Sequence, residues 1–383
     1  MSEVIPLSLY VHYPWCLQKC PYCDFNSHAI KKDPISEQNY IDALLKDLDH
    51  SLAHISGLNF DRPIKSIFFG GGTPSLISGS GIDQFLTKLS QKISISSEAE
   101  ITLEANPGTV DSDHFYQYIK SGINRLSIGV QSFRDQQLKE LGRIHSSNEA
   151  SSAFTIARDA GFKNINIDLM FGLPKDTLEG SLFDLEQAIS LKPEHISWYQ
   201  LTMEPNTLFY RQPPVLPGDD LLWEMHDAGQ ILLAQAGFQQ YEISAYATKN
   251  RQCQHNLNYW TFGDYIGIGA GAHSKITDLE LHEIERFSKP RHPKQYLNKP
   301  DQFIERRILN QEDLILEFMM NALRLNGGFL IEEFESRTGL QASKLDQKMK
   351  QALKKELAEE KENRIIPTEK GRLFLNDLLE IFS

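Results

Sequence analysis

The chain contains little cysteine and no long apolar run, and both shortages limit the class of protein that it can be. Only 4 of its 383 residues are cysteine, too few for a disulfide-stapled secreted scaffold, and its first residues lack the cationic and apolar segments of a secretory leader. No apolar run approaches the roughly 20 residues of a membrane-spanning helix. The sequence therefore predicts a globular cytoplasmic protein with reduced thiols.

Positive charge is also in short supply. The formal net charge is −12, so the average surface repels a polyphosphate, and we expect no nucleic-acid partner. The hydrophobic content of 40% is enough for a sizeable buried core, and the length suits two or three domains.

Three of the four cysteines, Cys16, Cys20 and Cys23, lie within eight residues of one another. An iron-sulfur cubane normally takes four thiolates, so a C-x3-C-x2-C run would leave one iron open to a small molecule. This spacing favours an iron-sulfur cluster. The alternatives are a zinc site completed by His12 or His28, and a disulfide pair.

Six short apolar segments, each followed by a helical pattern, fill the first 205 residues and predict parallel strands with crossover helices. These segments are 7–11, 66–69, 100–103, 125–129, 164–170 and 195–201. Six such units suggest an incomplete (βα)8 barrel with an open side. In parallel barrels the reactive groups gather at the carboxyl ends of the strands.

Polar or glycine-rich turns follow these strands where that rule places a site. Gly70, Gly71 and Gly72 follow the second strand, and Glu104 follows the third. Consecutive glycines let the backbone approach a ligand closely, because no Cβ blocks the approach. One such turn alone is more often a tight turn or a helix cap, but their recurrence on successive units favours a binding site.

Five motifs carry a resemblance to a known family. They are PWCLQKCPYCDFN at 14–26, FGGGTPS at 69–75, EANPGT at 104–109, SIGVQSF at 127–133 and DLMFGLP at 168–174. The chain resembles the radical S-adenosylmethionine (SAM) superfamily and, within it, the oxygen-independent coproporphyrinogen III oxidase group with its heme chaperones. The resemblance implies a partial (βα)6 TIM-like barrel and a [4Fe-4S] cluster on Cys16, Cys20 and Cys23, whose open iron binds SAM.

The resemblance and the chemistry of SAM together predict the residues that contact it. The ribose hydroxyls need acceptors, the ammonium an anionic or carbonyl partner, and the carboxylate a cation. Asp168 and Gln131 suit the ribose, Glu104 suits the amino-acid end or the ribose, and Arg143 supplies positive charge. The full predicted set is Tyr10, Tyr22, Gly71, Gly72, Thr73, Glu104, Gln131, Arg143 and Asp168.

Two departures from the oxidases direct the prediction toward the chaperones. The oxidases carry a further cysteine two positions beyond the triplet, where this chain has Phe25, and a longer segment ahead of the cluster motif. The resemblance ties both features to oxidase activity, so we expect no oxidase activity in this chain. The competing hypothesis is an active oxidase that removes two propionate carboxylates, and a third is a radical enzyme with another substrate.

The run His255-Asn256-Leu257-Asn258-Tyr259-Trp260 matches the H-N-x-x-Y-W pattern of the heme chaperones. Imidazole is a common axial ligand of heme iron, and the rings of Tyr259 and Trp260 can cover a porphyrin face. The sequence thus predicts His255 as a heme ligand, with Cys253 as a second candidate. The alternative is a hydrogen-bonded loop histidine.

A basic, proline-marked stretch at 286–302 predicts a linker between a barrel region at 1–285 and a small domain at 303–383. The small domain reads as mostly helical and winged-helix-like. It has helical runs at 314–323 and 345–357, a hairpin within 365–374 and a final helix at 375–382. Its mixed charges suit a solvated helix face better than a DNA-binding surface.

These observations favour a protein that binds heme and SAM and passes heme to an unidentified acceptor protein. Contact with a membrane surface and formation of a homodimer stay open at the level of sequence.

Overall fold

The computed structural model describes residues 5–30, 36–55, 62–278, 281 and 283–383, and a mixed sheet of 12 strands forms its centre. The strands are β1 Leu7–Tyr13, β2 Trp15–Cys16, β3 His28–Ala29, β4 Ile64–Gly71, β5 Ile95–Ala105, β6 Arg125–Gln131, β7 Ile165–Phe171, β8 His195–Gln200, β9 Gln239–Glu242, β10 Ala245–Ala247, β11 Asp264–Ile268, β12 His273–Asp278, β13 Glu283–Ser288, β14 Glu305–Ile308, β15 Phe329–Leu330, β16 Ala358–Lys361 and β17 Arg364–Pro367. The order in the large sheet is β14-β13-β12-β11-β1-β4-β5-β6-β7-β8-β10-β9.

The six predicted strands are confirmed as β1 and β4 to β8, which pair in parallel in chain order. Along much of these strands consecutive side chains, which point to opposite faces, are buried, as Leu169, Met170 and Phe171 show for β7. Burial on both faces explains why these segments read as nearly continuous apolar runs. The sheet is open, in agreement with the predicted partial barrel.

Helices connect the parallel strands of the barrel region, and further helices form the C-terminal region. They are α1 Glu37–Ile55, α2 Gly79–Ser90, α3 Ser112–Lys120, α4 Asp135–Glu140, α5 Ser147–Ala160, α6 Leu178–Ser190, α7 Leu208–Arg211, α8 Asp219–Gln235, α9 Gln254–Trp260, α10 Pro293–Asn298, α11 Gln311–Ala322, α12 Ile331–Thr338, α13 Asp346–Lys354, α14 Glu369–Leu373 and α15 Leu375–Glu380. Side chains cap several of them: Ser78 begins α2, Ser146 begins α5 with a capping box, and Thr177 begins α6. Within the described ranges no helix is both long and apolar enough to cross a membrane.

Additional strands extend both edges of the parallel region. Strand β10 pairs antiparallel with β8, and β9 follows it at that edge. At the opposite edge β11 pairs in parallel with β1, and β12, β13 and β14 continue the sheet. Strand β1, with the cysteine loop at its end, therefore lies inside the sheet.

Residues from 309 onward form a second hydrophobic core around Phe318, Phe334 and Met349. The helical runs predicted at 314–323 and 345–357 correspond to α11 and α13. The predicted hairpin is only partly right: β16 pairs with β17, but residues 371–373 belong to α14. Helix α14 begins there because the Thr368 side chain accepts a hydrogen bond from the Gly371 N–H.

The stretch predicted as a linker contains the end of β13 and the whole of α10. Lys289 and Tyr296 are buried in it, and both contact the buried Asp47 of α1. The segment therefore packs against α1 at these two residues, and the division of the chain into two domains joined by a linker stays a prediction.

Candidate functional site

A cavity of about 250 Å³ lies at the carboxyl ends of the parallel strands, and the three neighbouring cysteines open onto it. Most of the predicted cluster and SAM residues line its wall. These are Cys16, Cys20, Tyr22, Cys23, Gly71, Gly72, Thr73, Glu104, Gln131, Arg143 and Asp168. We call this space the cysteine cavity.

Backbone pairing holds the cysteine loop in place. Cys16 ends β2, which pairs with β3, and the Ile30 N–H donates to the Cys16 carbonyl at 2.8 Å. The Lys19 ammonium donates to the carbonyls of Phe25 and Ser27 and so closes the loop between these strands. The spacing of the cysteines in the sequence thus places three thiols on one wall of the cysteine cavity.

The electrostatics of the thiols fit a bound cationic cluster. Burial raises the pKa of Cys16 and Cys23, and the neighbouring thiols add to the effect. Arg143 lies 3.7 Å from the Cys20 sulfur, and its buried Nε has no hydrogen-bond partner in the described part of the chain. Thiolates are the form that ligates metal, so a cluster would supply the positive charge that this wall needs.

No three His, Cys, Asp or Glu side chains within the described ranges converge as ligands of one ion. A [4Fe-4S] cluster does not need its cysteines to converge on one ion, since each cysteine ligates a different iron.

The glycine run packs against the loop that carries the cysteines. Gly71 has a φ of +112°, and a Cβ there would lie 2.5 Å from the ring of His12. A Cβ on Gly72 would lie 2.5 Å from the Trp15 carbonyl oxygen. The absence of side chains is therefore needed for protein packing as well as for any approach to a ligand.

Two carboxyl groups face the cavity with different surroundings. Asp168 accepts hydrogen bonds from Ser127 Oγ at 2.9 Å and Asn166 Nδ2 at 2.8 Å. Glu104 accepts one from the Gly71 N–H at 3.1 Å. Burial, together with the nearby Asp168 charge, raises the pKa of Glu104 to about 8. Without a ligand, Glu104 therefore holds its proton near neutral pH, and a cationic partner in the cavity would favour its charged form.

Gln131 occupies the left-handed region with a φ of 69°, which is uncommon for a residue other than glycine. Its Oε1 accepts a hydrogen bond from the Tyr199 hydroxyl at 2.8 Å. Sequence reasoning missed Tyr199, although it lies near the end of the sixth parallel strand, where the strand-end rule applies. It also missed Ser127, which lies within β6, because that rule considers only residues at strand ends.

Raising the pH from about 5 to about 8 will destabilise the protein prepared without SAM more than its Glu104→Gln variant. The pKa of Glu104 rises from 4.5 to about 8 on folding, so between these values the folded state holds a proton that the unfolded state has released. The stability gained from that proton is complete below about pH 4.5 and is lost as the pH rises through about 8, with a slope of at most about 1.4 kcal/mol per pH unit. Urea unfolding at pH 5, 6.5 and 8 measures both slopes, and equal slopes would contradict the raised pKa.

A second cavity of about 400 Å³ adjoins the first, and we call it the aromatic cavity. Phe25, Gly71 and Glu104 line both spaces. Its other walls include Tyr10, His12, Tyr259, Trp260, Tyr265 and His273. Tyr10, which was predicted to contact SAM, faces this second space, and its hydroxyl lies 3.0 Å from His12 Nδ1.

His255 lies behind the wall of the aromatic cavity. Its Nδ1 is 2.9 Å from Ser66 Oγ, its Nε2 is 2.9 Å from the Tyr259 hydroxyl, and its ring stacks on Phe68. Burial lowers the pKa of His255 to about 3, so the ring is neutral. In this arrangement His255 is a hydrogen-bonded histidine, the alternative that the sequence leaves open. To bind iron, its Nε2 must first give up the hydrogen bond to the Tyr259 hydroxyl.

Cys253, the second candidate ligand, is buried beside Glu100, with 3.6 Å between its sulfur and Glu100 Oε1. Burial raises the pKa of its thiol to about 12. Cys253 lines neither the cysteine cavity nor the aromatic cavity.

Comparisons with known proteins agree with this architecture. The radical SAM superfamily matches residues 10–185, and the HemN C-terminal domain matches residues 309–374. The chain is 51% identical to the heme chaperone HemW of Haemophilus influenzae, with 100% of this chain and 99% of that protein covered. Identity to HemW of Escherichia coli is 49%, with 100% and 99% covered, and to HemW of Bacillus subtilis it is 32%, with 98% and 98% covered. The structure of coproporphyrinogen III oxidase (HemN) from Escherichia coli, a radical SAM enzyme, has a TM-score of 0.82 at 25% identity, with 99% of this chain and 90% of that chain covered.

Proposed function

Because the chain belongs to the HemW family of radical SAM proteins, we propose that it is a heme chaperone. In this proposal it binds heme next to a SAM-liganded [4Fe-4S] cluster and passes the heme to an acceptor protein. The observation that carries the proposal is the shared wall: Phe25, Gly71 and Glu104 line both the cysteine cavity and the aromatic cavity. A porphyrin in the second space would lie directly beside a ligand in the first.

Cys16, Cys20 and Cys23 would hold the cluster in the cysteine cavity, and Arg143 would offset the charge of the thiolates. Glu104, with its raised pKa, would meet the amino-acid end or the ribose of SAM. When reduced and loaded with SAM, a cluster of this superfamily supplies a deoxyadenosyl radical. The residues of this chain bind and orient the two groups and shield them from water.

Asp168 and Gln131 are each held in place by a neighbouring side chain. Ser127 donates to Asp168, and Tyr199 donates to Gln131. Both residues would accept hydrogen bonds from the SAM ribose, and their fixed positions reduce the entropy lost on binding.

Heme would lie in the aromatic cavity, against Tyr259, Trp260 and Tyr265. Neutral imidazole is the form that ligates iron, and His255 is neutral at physiological pH. Its Nε2 would reach iron only after the Tyr259 hydroxyl moves away, so heme entry in this proposal includes a rotation of the Tyr259 side chain.

An active coproporphyrinogen III oxidase is the second candidate, and the 0.82 TM-score to HemN favours it. Phe25 argues against it. This side chain is 58% exposed where the two cavities meet, and it replaces the thiol that the resemblance ties to oxidase activity. Anaerobic incubation with coproporphyrinogen, SAM and a reductant should yield no protoporphyrinogen. Its formation would overturn the chaperone proposal.

Hemin titration tests the assignment of His255. His255→Ala should weaken hemin binding in the aromatic cavity at least about tenfold, since it removes the ligand. Tyr259→Phe should keep or strengthen this binding, because it frees Nε2 from the hydrogen bond that competes with iron. Both effects can be measured from the Soret absorbance of the full-length protein.

His195→Ala is a matched control for the loss of a buried ring. His195 is as buried as His255, and both of its nitrogens are hydrogen-bonded, to Asn166 and Tyr241. If His195→Ala loses hemin as His255→Ala does, the effect comes from a disturbed core and not from ligation. If Tyr259→Phe weakens hemin binding, Nε2 is not the ligand.

A further inference from the structure

The aromatic cavity contains a histidine of its own. His273, the first residue of β12, lines this cavity together with Tyr259, Trp260 and Tyr265. His255 does not line it and is only 1% exposed. A porphyrin that enters the aromatic cavity therefore meets the ring of His273 before it can reach that of His255.

The ring nitrogens of His273 are available to a ligand. The side chain is exposed, and neither nitrogen has a hydrogen-bond partner in the described part of the chain. In His12, which also lines the cavity, Nδ1 is 3.0 Å from the Tyr10 hydroxyl and Nε2 is 2.9 Å from the Asn26 carbonyl oxygen. Of these two histidines, His273 is the one that can bind a metal without giving up a hydrogen bond to another described residue.

The charge state of His273 also suits a metal ligand. Partial burial lowers its pKa from 6.5, and the positive charges of Arg286 and Arg291 lower it further, against the opposing charge of Glu305. The ring is therefore neutral near pH 7, and neutral imidazole is the form that ligates iron.

Backbone contacts on both sides fix the position of His273. It pairs with Ser288 of β13. On its other side lies Gly267 of β11, where a Cβ would overlap the His273 carbonyl oxygen. The missing side chain lets the backbones of β11 and β12 approach closely. An iron ligand on a strand held in this way loses little entropy when heme binds.

Arg291 lies at the rim of the same cavity. Asn26 and Gly271 both line the cavity. The side-chain amide of Asn26 donates to the Arg291 carbonyl at 2.8 Å, and a Cβ on Gly271 would lie 3.4 Å from the Arg291 Cα. The exposed side chain of Arg291 thus places a positive charge near His273.

The guanidinium of Arg291 forms no ion pair with any described residue. The other arginine near His273, Arg286, is already occupied, since it pairs with Glu317 and contacts the Tyr265 hydroxyl. Guanidinium groups bind carboxylates through two parallel hydrogen bonds. A heme propionate at the rim would therefore find its cation in Arg291.

We propose that His273 is an axial ligand of the heme iron in the aromatic cavity and that Arg291 binds a heme propionate at the rim. The inference rests on the proposed chaperone function and deepens it, since it names the residues that receive the heme. His273 binds iron while the Tyr259 hydroxyl still holds Nε2 of His255, so the protein can take up heme before the Tyr259 side chain rotates.

Hemin titration of the full-length protein tests the role of His273. His273→Ala should weaken hemin binding at least about tenfold, because an iron ligand is lost, and should shift the Soret maximum. Imidazole, at a concentration that leaves the wild-type spectrum unchanged, should return the Soret maximum of the variant to its wild-type position, because the missing ring opens onto the cavity. A histidine that only packs against its neighbours would not respond to imidazole in this way.

His114→Ala is the matched control. His114 is also an exposed histidine, it pairs with Asp111 at the start of α3, and it lines neither the cysteine cavity nor the aromatic cavity. This variant should bind hemin with the affinity and the Soret maximum of the wild type.

Arg291→Glu tests the propionate contact. It should weaken hemin binding at least about fivefold, because a repulsive charge replaces an attractive one. Hemin dimethyl ester, which lacks the propionate charges, should bind equally to the wild type and to Arg291→Glu. Lys294→Glu makes the same charge reversal three residues further along, at an exposed position that lines neither cavity, and it should bind hemin as the wild type does.

Wild-type affinity and an unchanged Soret maximum in His273→Ala would overturn its assignment as a ligand and leave the proposed function in place. A loss of affinity that imidazole does not reverse, or an equal loss in His114→Ala, would overturn it as well. An equal loss of hemin and of its dimethyl ester in Arg291→Glu would overturn the propionate contact. A wild-type protein that binds no hemin would overturn both this inference and the proposed function.

Discussion

Cys23→Ser will take up less than about a tenth of the iron and sulfide that the wild-type protein binds on anaerobic reconstitution. Loss of a group that only supports a ligand already costs metal sites about 10- to 100-fold in affinity, and here a ligand itself is lost. The cysteine cavity offers no spare thiol, because Cys253 is buried beside Glu100 and lines a different part of the interior. Iron and sulfide analysis, with the visible absorbance of the cluster as a second readout, measures the effect.

Cys253→Ser is the matched control, since it makes the same chemical change in the fourth cysteine. The variant keeps a hydroxyl beside Glu100, so it should fold and bind the cluster as the wild type does. A loss of cluster in Cys253→Ser equal to that in Cys23→Ser would contradict the assignment of the three ligands. Full cluster content in Cys23→Ser would contradict it as well.

The parallel strands were predictable because they are buried on both faces. Leu169, Met170 and Phe171 of β7 are consecutive, apolar and buried, whereas a strand with one exposed face would alternate apolar and polar residues. The strand-end rule predicts Glu104, Gln131 and Asp168 at one edge of the sheet, and all three line the cysteine cavity. They lie together because the backbone of parallel strands determines where their carboxyl ends meet, and their contact with SAM stays a prediction.

The direction of individual side chains was harder to predict. Tyr10 and Tyr22 both lie close to the three cysteines in the sequence. In the structure, Tyr22 lines the cysteine cavity, whereas Tyr10 lines the aromatic cavity. Successive residues of a strand point to opposite faces, so the position of Tyr10 depends on the register of β1 with β4 and β11. Register is a tertiary property that a single motif does not contain.

The same limit applies to polar residues whose partners are distant in sequence. Proline and basic residues made 286–302 read as a linker, but the burial of Lys289 depends on Asp47 of α1. His255 likewise finds Ser66 of β4, 189 positions away. Composition identifies such residues as polar, whereas only the fold shows that they are buried and paired.

Lys289→Met will lower the free energy of unfolding by about 3–5 kcal/mol, because it leaves Asp47 as a buried charge without its cation. Both partners of this ion pair are fully buried. Asp47 keeps hydrogen bonds from the Gly269 N–H at 3.0 Å and the Tyr296 hydroxyl at 2.8 Å, but these donors carry no full charge. Urea unfolding measures the loss.

Lys46→Met is the matched control, since Lys46 precedes Asp47 on α1 and pairs with Asp301 at the surface, where both side chains are largely exposed. Surface pairs contribute less than about 1 kcal/mol, so this variant should be close to the wild type. The deficit of Lys289→Met should shrink at acidic pH, because burial raises the pKa of Asp47 and protonation removes the unpaired charge. Two outcomes would contradict a stabilising Lys289–Asp47 pair between 286–302 and the barrel region. One is an equal loss of unfolding free energy in Lys289→Met and Lys46→Met, and the other is a loss in Lys289→Met that grows toward low pH.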